Sequence, residues 1–254
     1  MSLINITLET IFTIIRTVSM SNRSISFKIK TLIKIILISM YKLKYRGTDK
    51  YGKLPNIGIL PILEVKALNI FLKNRNFQTF IDVGAHIGKY SLMMSILNKN
   101  GKVFSMEPYS DNMMQLRNNL KYYGLENVKP FEVACYSRNT SSKLYLAPMS
   151  GAGHSLKNIM KFKNYNVVKC IRLDSLIKEK IIDIIKIDVE GSELDVLKGC
   201  ENILNKTKYI VFESMEIDGA REIAEFLRNF GFTTVKTQAE FYYLATNDKK
   251  VNIS

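Results

Sequence analysis

Phe80-Ile81-Asp82-Val83-Gly84-Ala85-His86-Ile87-Gly88 decides the fold. A short apolar run ends in an acid and breaks into a turn bracketed by two glycines. The segment that follows, Lys89 to Asn98, is helical in composition. That order predicts a strand, a tight loop and a helix, the opening βα unit of a doubly wound sheet. Glycines at such a turn let the backbone come close to a nucleotide-like ligand. A dinucleotide fingerprint requires G-x-G-x-x-G, whereas Gly84 and Gly88 stand four apart with no glycine between them. The loop therefore lacks the glycine that admits a pyrophosphate. Asp82 would repel phosphate but suit a cationic ligand, such as the ammonium of S-adenosylmethionine. The plain alternative is a structural turn that holds nothing.

Lys102-Val103-Phe104-Ser105-Met106-Glu107 reads as the next strand, closing on an acid and then Pro108. Glu107 lies 23 residues past Gly84, close to the ~20-residue offset at which an acid accepts from ribose hydroxyls. Ser110 to Gly124 then forms a helix, with Ser110 as N-cap, Gly124 as stop, and Met113, Met114, Leu116, Leu120 and Tyr123 as its buried stripe. Asn127 to Val133 is a third strand, which Pro130 marks as an edge or bulged strand. Val133-Ala134 falls where an adenine ring would lie.

The second informative stretch is Ile184-Ile185-Lys186-Ile187-Asp188-Val189-Glu190-Gly191-Ser192-Glu193. A near-continuous Ile/Val run is the signature of a central parallel strand covered on both faces. Lys186 inside it is costly unless paired. Asp188, two residues on, points to the same face. An ammonium beside a carboxylate at the carboxyl end of a middle strand lies where α/β sheets place their ligands. Glu190 and Glu193 add acids at the start of a helix expected over Glu193 to Leu204, where they could equally serve the helix N-terminus.

Asp82-Val83-Gly84-Ala85-x-x-Gly88, Glu107-Pro108 and Ile185-Lys186-Ile187-Asp188-Val189-Glu190-Gly191-Ser192-Glu193 together resemble the FkbM family of S-adenosylmethionine-dependent methyltransferases. The resemblance covers about residues 76–236. It implies the class I, Rossmann-like methyltransferase fold: α/β, doubly wound, with a mostly parallel seven-stranded sheet whose last strand is antiparallel. It also implies O-methylation, often of sugar or natural-product hydroxyls. Carried over, Asp82, Gly84, Ala85, Gly88 and Glu107 would bind S-adenosylmethionine and Val133 would flank the adenine. Asp188 with Glu190 would face the acceptor. In such a reaction Asp188 or Glu190 would orient the hydroxyl and take its proton, with Lys186 fixing the carboxylate. The resemblance calls for no metal.

The rest of the chain fits this pattern. Tyr209 to Glu213, a helix over Gly219 to Phe230, Phe232 to Val235 and Phe241 to Ala245 complete the alternation, the last two strands read as an antiparallel pair. Asn139 to Leu173 is an insertion whose strands, Lys143 to Leu146 and Val167 to Ile171, flank a Gly151-Ala152-Gly153-His154-Ser155 loop. The chain divides into an N-terminal helical extension, residues 1–60, and a methyltransferase domain, residues 61–254. Three widely spaced cysteines, Cys135, Cys170 and Cys200, form no C-x-x-C pair and suggest a reducing compartment. His86 and His154 are the only histidines, which excludes a histidine-rich metal site.

The net charge of +14 is uneven, residues 1–55 holding ten Lys and Arg against Glu9 and Asp49. The same region is apolar, with Leu32-Ile33 and Ile35 to Ile38 broken by Lys34. Neither of its apolar stretches reaches the ~20 uncharged residues a spanning helix needs, and no signal-peptide cleavage site follows them. Helices lying on an anionic membrane surface fit this composition; so does a helical cap over the sheet or cleft. The expected place is the cytoplasm, with peripheral attachment to the inner face of the membrane. A basic pI near 9.5 also motivates a rival, an RNA-binding protein or RNA methyltransferase. The chain shows no RNA-binding signature, so nucleic acid is the weaker partner and a small-molecule or glycan acceptor the stronger.

Overall fold

The computed structural model describes residues 77–147, 153–158, 160–237 and 241–247. The N-terminal extension, with its basic segment over residues 1–55, lies outside the described residues. Among the described residues no helix is long and apolar enough to cross a membrane.

Among the described residues, ten strands and six helices follow in chain order: β1 Thr79–Val83, α1 Lys89–Leu97, β2 Lys102–Met106, α2 Ser110–Tyr123, β3 Val128–Phe131, β4 Ala134–Cys135, β5 Thr140–Tyr145, β6 Tyr165–Ile171, α3 Leu173–Leu176, β7 Ile182–Ile187, α4 Glu193–Lys198, α5 Glu201–Leu204, β8 Thr207–Glu213, α6 Ile217–Arg228, β9 Thr233–Lys236 and β10 Tyr242–Thr246. Seven strands make one sheet in the order β3-β2-β1-β7-β8-β10-β9. The first five run parallel, and β10 is antiparallel to both of its neighbours, β8 and β9. This is the seven-stranded class I arrangement that the sequence led us to expect. β3 sits at the sheet edge, as Pro130 required.

β7 is the middle strand and is buried throughout. Its side chains alternate between two cores. Ile185 and Ile187 pack with Val196, Leu197, Ile223 and Leu227 from α4 and α6 on one face. Ile184 faces Leu92, Met94, Met113 and Leu116 from α1 and α2 on the other. Each such aliphatic side chain contributes about 1.5–3 kcal/mol on burial, and a one-residue slip of β7 would swap its two faces and drive Lys186 into the apolar core under α4 and α6. That fixes the place of Lys186 and Asp188.

Three local expectations need correction. Ser110 is the first residue of α2 and not its cap; the N-cap is Tyr109, whose side chain makes no capping bond. Met114 is 53% exposed, whereas Met113, Leu116 and Leu120 are buried. The helix expected over Glu193 to Leu204 is two short helices, α4 and α5. It breaks where Gly199 passes the backbone of Tyr136 so closely that a Cβ would lie 2.0 Å from the Tyr136 carbonyl oxygen.

The insertion forms a second sheet, ordered β4-β6-β5, with β5 and β6 antiparallel. The three cysteines, Cys135 and Cys170 in this sheet and Cys200 between α4 and α5, are free and buried.

Candidate active site

The carboxyl ends of β1, β2, β7 and β8 converge on one cavity of about 400 Å³. β1 delivers the glycine turn. A Cβ on Gly84 would lie 1.8 Å from the Asp188 carbonyl oxygen, and one on Gly88 would meet the side chains of Leu92 and Leu116. Both glycines have positive φ, a conformation that side chains resist. Chain packing by itself therefore demands both glycines. Gly84 and Ala85 still line the cavity; Gly88 sits behind the turn as the N-cap residue of α1.

β2 delivers Glu107, 5% exposed. One carboxylate oxygen accepts the His86 N–H at 2.9 Å, and the other accepts the Tyr109 N–H at 2.9 Å. His86 adopts φ +53, uncommon for a side-chain-bearing residue, and that backbone turn aims its amide at Glu107. Burial pushes the Glu107 carboxyl up to about 7, against the pull of those two backbone donors. Val133 lines the same part of the cavity.

β7 delivers Lys186, 2% exposed. Its ammonium donates to the Gly84 carbonyl at 3.0 Å and lies 3.2 Å from Asp188 Oδ2 and 3.4 Å from Asp82 Oδ1. It also stands 5.0 Å from the centre of the Tyr90 ring. The expected Lys186–Asp188 pair is present, and Asp82 makes it a triad. Asp82 is fully buried beneath the cavity and forms none of its wall. Its other oxygen accepts the Ser91 hydroxyl at 2.6 Å, and Ser91 bonds in turn to Ser105. Asp82 thus anchors Lys186 and α1 from beneath the cavity.

Asp188 follows β7 and accepts the Tyr242 hydroxyl at 3.1 Å. Burial would raise its pKa, but the Lys186 charge and hydrogen bonds from Glu213, Lys186 and Tyr242 hold it below the usual carboxylate range. Glu190 lines the cavity from the next loop with φ +57; burial, then the charges of Asp188 and Glu193, raise its pKa. Glu193 instead closes its own loop, accepting the Gly191 and Val189 N–H groups, the structural alternative considered above.

Glu213, at the end of β8, was not singled out from sequence. The signal was there: β8, like β1, β2 and β7, runs into an acid at its carboxyl end. Burial and the neighbouring Asp188 charge push its pKa up to about 9, so near neutrality it keeps a proton and shares it with Asp188. Oxygens of Asp188, Glu190 and Glu213 can lie within 4.8 Å of one another. These are the described residues that could share a metal ion, but acids alone do not make a metal site, and no step below depends on one.

The insertion was also missed as part of the site. The Ser155 hydroxyl donates to the Glu190 carbonyl at 2.6 Å, pinning the insertion to the carboxylate loop. His154 accepts the Ala147 N–H through Nδ1 at 3.0 Å and meets the Tyr109 ring edge-on at 4.4 Å. Leu144 and His154 line the same cavity as Glu107.

This geometry can be set beside known proteins. Residues 82–234, more than half of the chain, match the family described as the methyltransferase FkbM domain. The chain belongs to the FkbM methyltransferase family. The hexuronic acid methyltransferase AglP of Haloferax volcanii is 27% identical over 136 residues, covering 52% of this chain and 54% of that one. The methyltransferase sdnD of Sordaria araneosa is 27% identical over 196 residues, covering 63% and 76%. In fold, the FkbM-family chain is similar to the crystal structure of methyltransferase FkbM from Methylobacillus flagellatus, with TM-score 0.52 and 17% identity, over 67% of this chain and 44% of that one. It thus spans about half the length of the first relative and less of that solved structure. Its fold is the class I methyltransferase fold, and the cofactor that goes with this family and fold is S-adenosylmethionine.

Proposed function

We propose that this chain moves the methyl group of S-adenosylmethionine to a hydroxyl of a sugar or glycan-like acceptor. One observation carries the reading: the Glu107 end and the carboxylate end, Asp188, Glu190 and Glu213, line one cavity. A relative whose name gives hexuronic acid as its substrate supports a sugar acceptor.

The residues fit the donor. Glu107 is a buried carboxylate braced by two backbone amides, with lone pairs left for vicinal hydroxyls, and Val133 offers an apolar wall for a base. Gly84 and Ala85 present main chain along the cavity between them. When bound, S-adenosylmethionine supplies an electrophilic methyl group on a sulfonium. The chain's own work is to position an acceptor oxygen in line with that methyl, which can supply much of the acceleration, and to remove its proton.

The two candidate bases differ. Asp188 is held anionic and weakly basic by Lys186 and Tyr242. Glu190 has a raised pKa, nearer the value at which a general base works at neutral pH. Glu190 therefore takes the acceptor proton as the oxygen receives the methyl, while Asp188, fixed by Lys186, orients the hydroxyl. Protonated Glu213 donates toward Asp188 and keeps the cluster from carrying three full negative charges.

The test is incubation of the full chain with methyl-labelled S-adenosylmethionine and a panel of neutral and acidic oligosaccharides, followed by mild alkali. A methyl ether on a hydroxyl survives this treatment and a methyl ester does not. Label that is retained supports the reading; label released by alkali, or transfer to RNA alone, overturns it.

A further inference from the structure

The insertion, Asn139 to Leu173, carries Lys143, Lys157, Lys161, Lys163, Lys169 and Arg172 and not one Asp or Glu. Some of these charges have structural work: Lys157 lies 3.4 Å from Asp195, and Arg172 2.8 Å from Asp174. Lys143 and Lys169 meet no carboxylate among the described residues. They share one face of the β5–β6 pair, since the register sets Ser141 opposite Lys169, Lys143 opposite Val167 and Tyr145 opposite Tyr165. Alternate residues of a strand point the same way, so these six form one surface. It is open: Val167 is 70% exposed and Tyr165 46%. The Lys143 ammonium stands 4.3 Å from the centre of the Tyr165 ring, which holds a cation in place that would otherwise swing free.

The same strand has an open edge. β4 pairs with β6 only at Cys170 and Ile171, so Tyr165 to Lys169 has no strand on that side among the described residues. A groove of about 530 Å³ runs along it, lined by Tyr165, Val167 and Lys169 and faced by Pro108 and Ser110. Its one acid, Glu132, lies 3.6 Å from Arg117. Pro108 also lines the catalytic cavity. The groove therefore continues the site outward, and it offers backbone hydrogen-bonding groups, an apolar strip and lysine.

We infer that this face and edge bind the part of the acceptor beyond the methylated hydroxyl, and that this part is an acidic saccharide. The inference rests on the proposed sugar-hydroxyl methylation. Charge complementarity selects an anion, while continuity through Pro108 ties it to the acceptor and not to a separate partner. Strand-edge amides suit the hydroxyls of a saccharide chain.

The test measures binding of the full chain to an oligogalacturonate, a neutral maltooligosaccharide of equal length, poly-glutamate and poly-uridylate, with S-adenosylmethionine titrated into the same samples. The expected result is oligogalacturonate bound roughly tenfold more tightly than the neutral chain at low salt. The Lys143→Ala/Lys169→Ala variant should lose most of that difference, on the scale of two surface charge contacts, with S-adenosylmethionine affinity unchanged. Lys178→Ala/Lys180→Ala, at the opposite end of the sheet, should lose none of it. Equal binding of the two oligosaccharides, no effect of the Lys143/Lys169 variant, or tighter binding of poly-glutamate or poly-uridylate overturns the inference. A sample that binds oligogalacturonate but not S-adenosylmethionine leaves the charge-reading surface standing and overturns the functional reading beneath it.

Discussion

Gly84 and Asp188 approach so closely that a single methyl group on Gly84 would lie 1.8 Å from the Asp188 carbonyl oxygen. The two residues end adjacent parallel strands, and the Asp188 N–H donates to the Val83 carbonyl just before the turn. The glycine turn and the start of the carboxylate loop are thus one rigid corner of the sheet. Gly84→Ala should cost more than about 2 kcal/mol, combining overpacking with an alanine at positive φ. Urea unfolding monitored by circular dichroism measures this; wild-type stability in that variant would show that the corner is soft.

Lys186 stands between Asp82 and Asp188, and its removal leaves two carboxylates without their cation. Lys186→Met should destabilise by about 3–5 kcal/mol, as breaking a buried ion pair does. Adding Asp82→Asn should recover part of the loss, because it removes one stranded charge. Denaturant midpoints of the single and double variants decide this, and an additive double variant would show that Asp82 and Lys186 are uncoupled.

Much of this corner was legible in the sequence. The Ile/Val run from Ile184 read as a central strand, and the two-residue spacing of Lys186 and Asp188 placed both on one face. Glu107 followed from its distance to Gly84. Other features were hidden for physical reasons. Glu213 and Tyr242 join Asp188 only through strand pairing, Phe212 lying beside Ile187 and Tyr242 beside Glu213, and pairing partners are not written in a local pattern. The pairing of Asp82 with Lys186 was hidden because a strand-end acid before a glycine turn reads alike whether it faces a ligand or a buried lysine. Ser155 and His154 reach the site by a turn of the insertion that carries no periodicity at all.

The opposing pKa directions of Asp188 and Glu190 distinguish the proposed base, Glu190, from the proposed orienting group, Asp188. Glu190→Gln should lower methyl transfer by about 10²–10⁴-fold, the usual cost of a lost general base, with S-adenosylmethionine affinity kept within a few-fold. Asp188→Asn should cost less at high pH, because Glu190 remains able to accept the proton. Rate profiles of both variants against pH check the assignment; normal transfer by Glu190→Gln would return the base role to Asp188.

The basic, apolar segment over residues 1–55 lies outside the described residues, and its proposed role is attachment to an anionic membrane surface. Each basic residue close to such a surface contributes about 1 kcal/mol and is screened by salt. The full chain should float with phosphatidylserine vesicles at low salt and be released by high salt. Replacing Lys28, Lys30 and Lys34 by Gln should weaken flotation. A chain that stays in the soluble fraction at low salt would favour a cap over the cleft.

The most direct test is calorimetric titration of the full chain with S-adenosylmethionine at pH 6 and pH 8. Glu107 titrates at about 7 in the free protein, and ribose hydroxyls donate to its ionised form, so below pH 7 binding must first expel a proton. Affinity should therefore rise with pH by up to about tenfold per unit below 7 and level off above it. Glu107→Gln should weaken binding by about 1.5–3 kcal/mol at pH 8, the worth of hydrogen bonds to a charged group, and should erase the pH dependence. NAD should give no heat of binding. Tight NAD binding without a response to S-adenosylmethionine, or unchanged affinity and pH dependence in Glu107→Gln, would contradict the account.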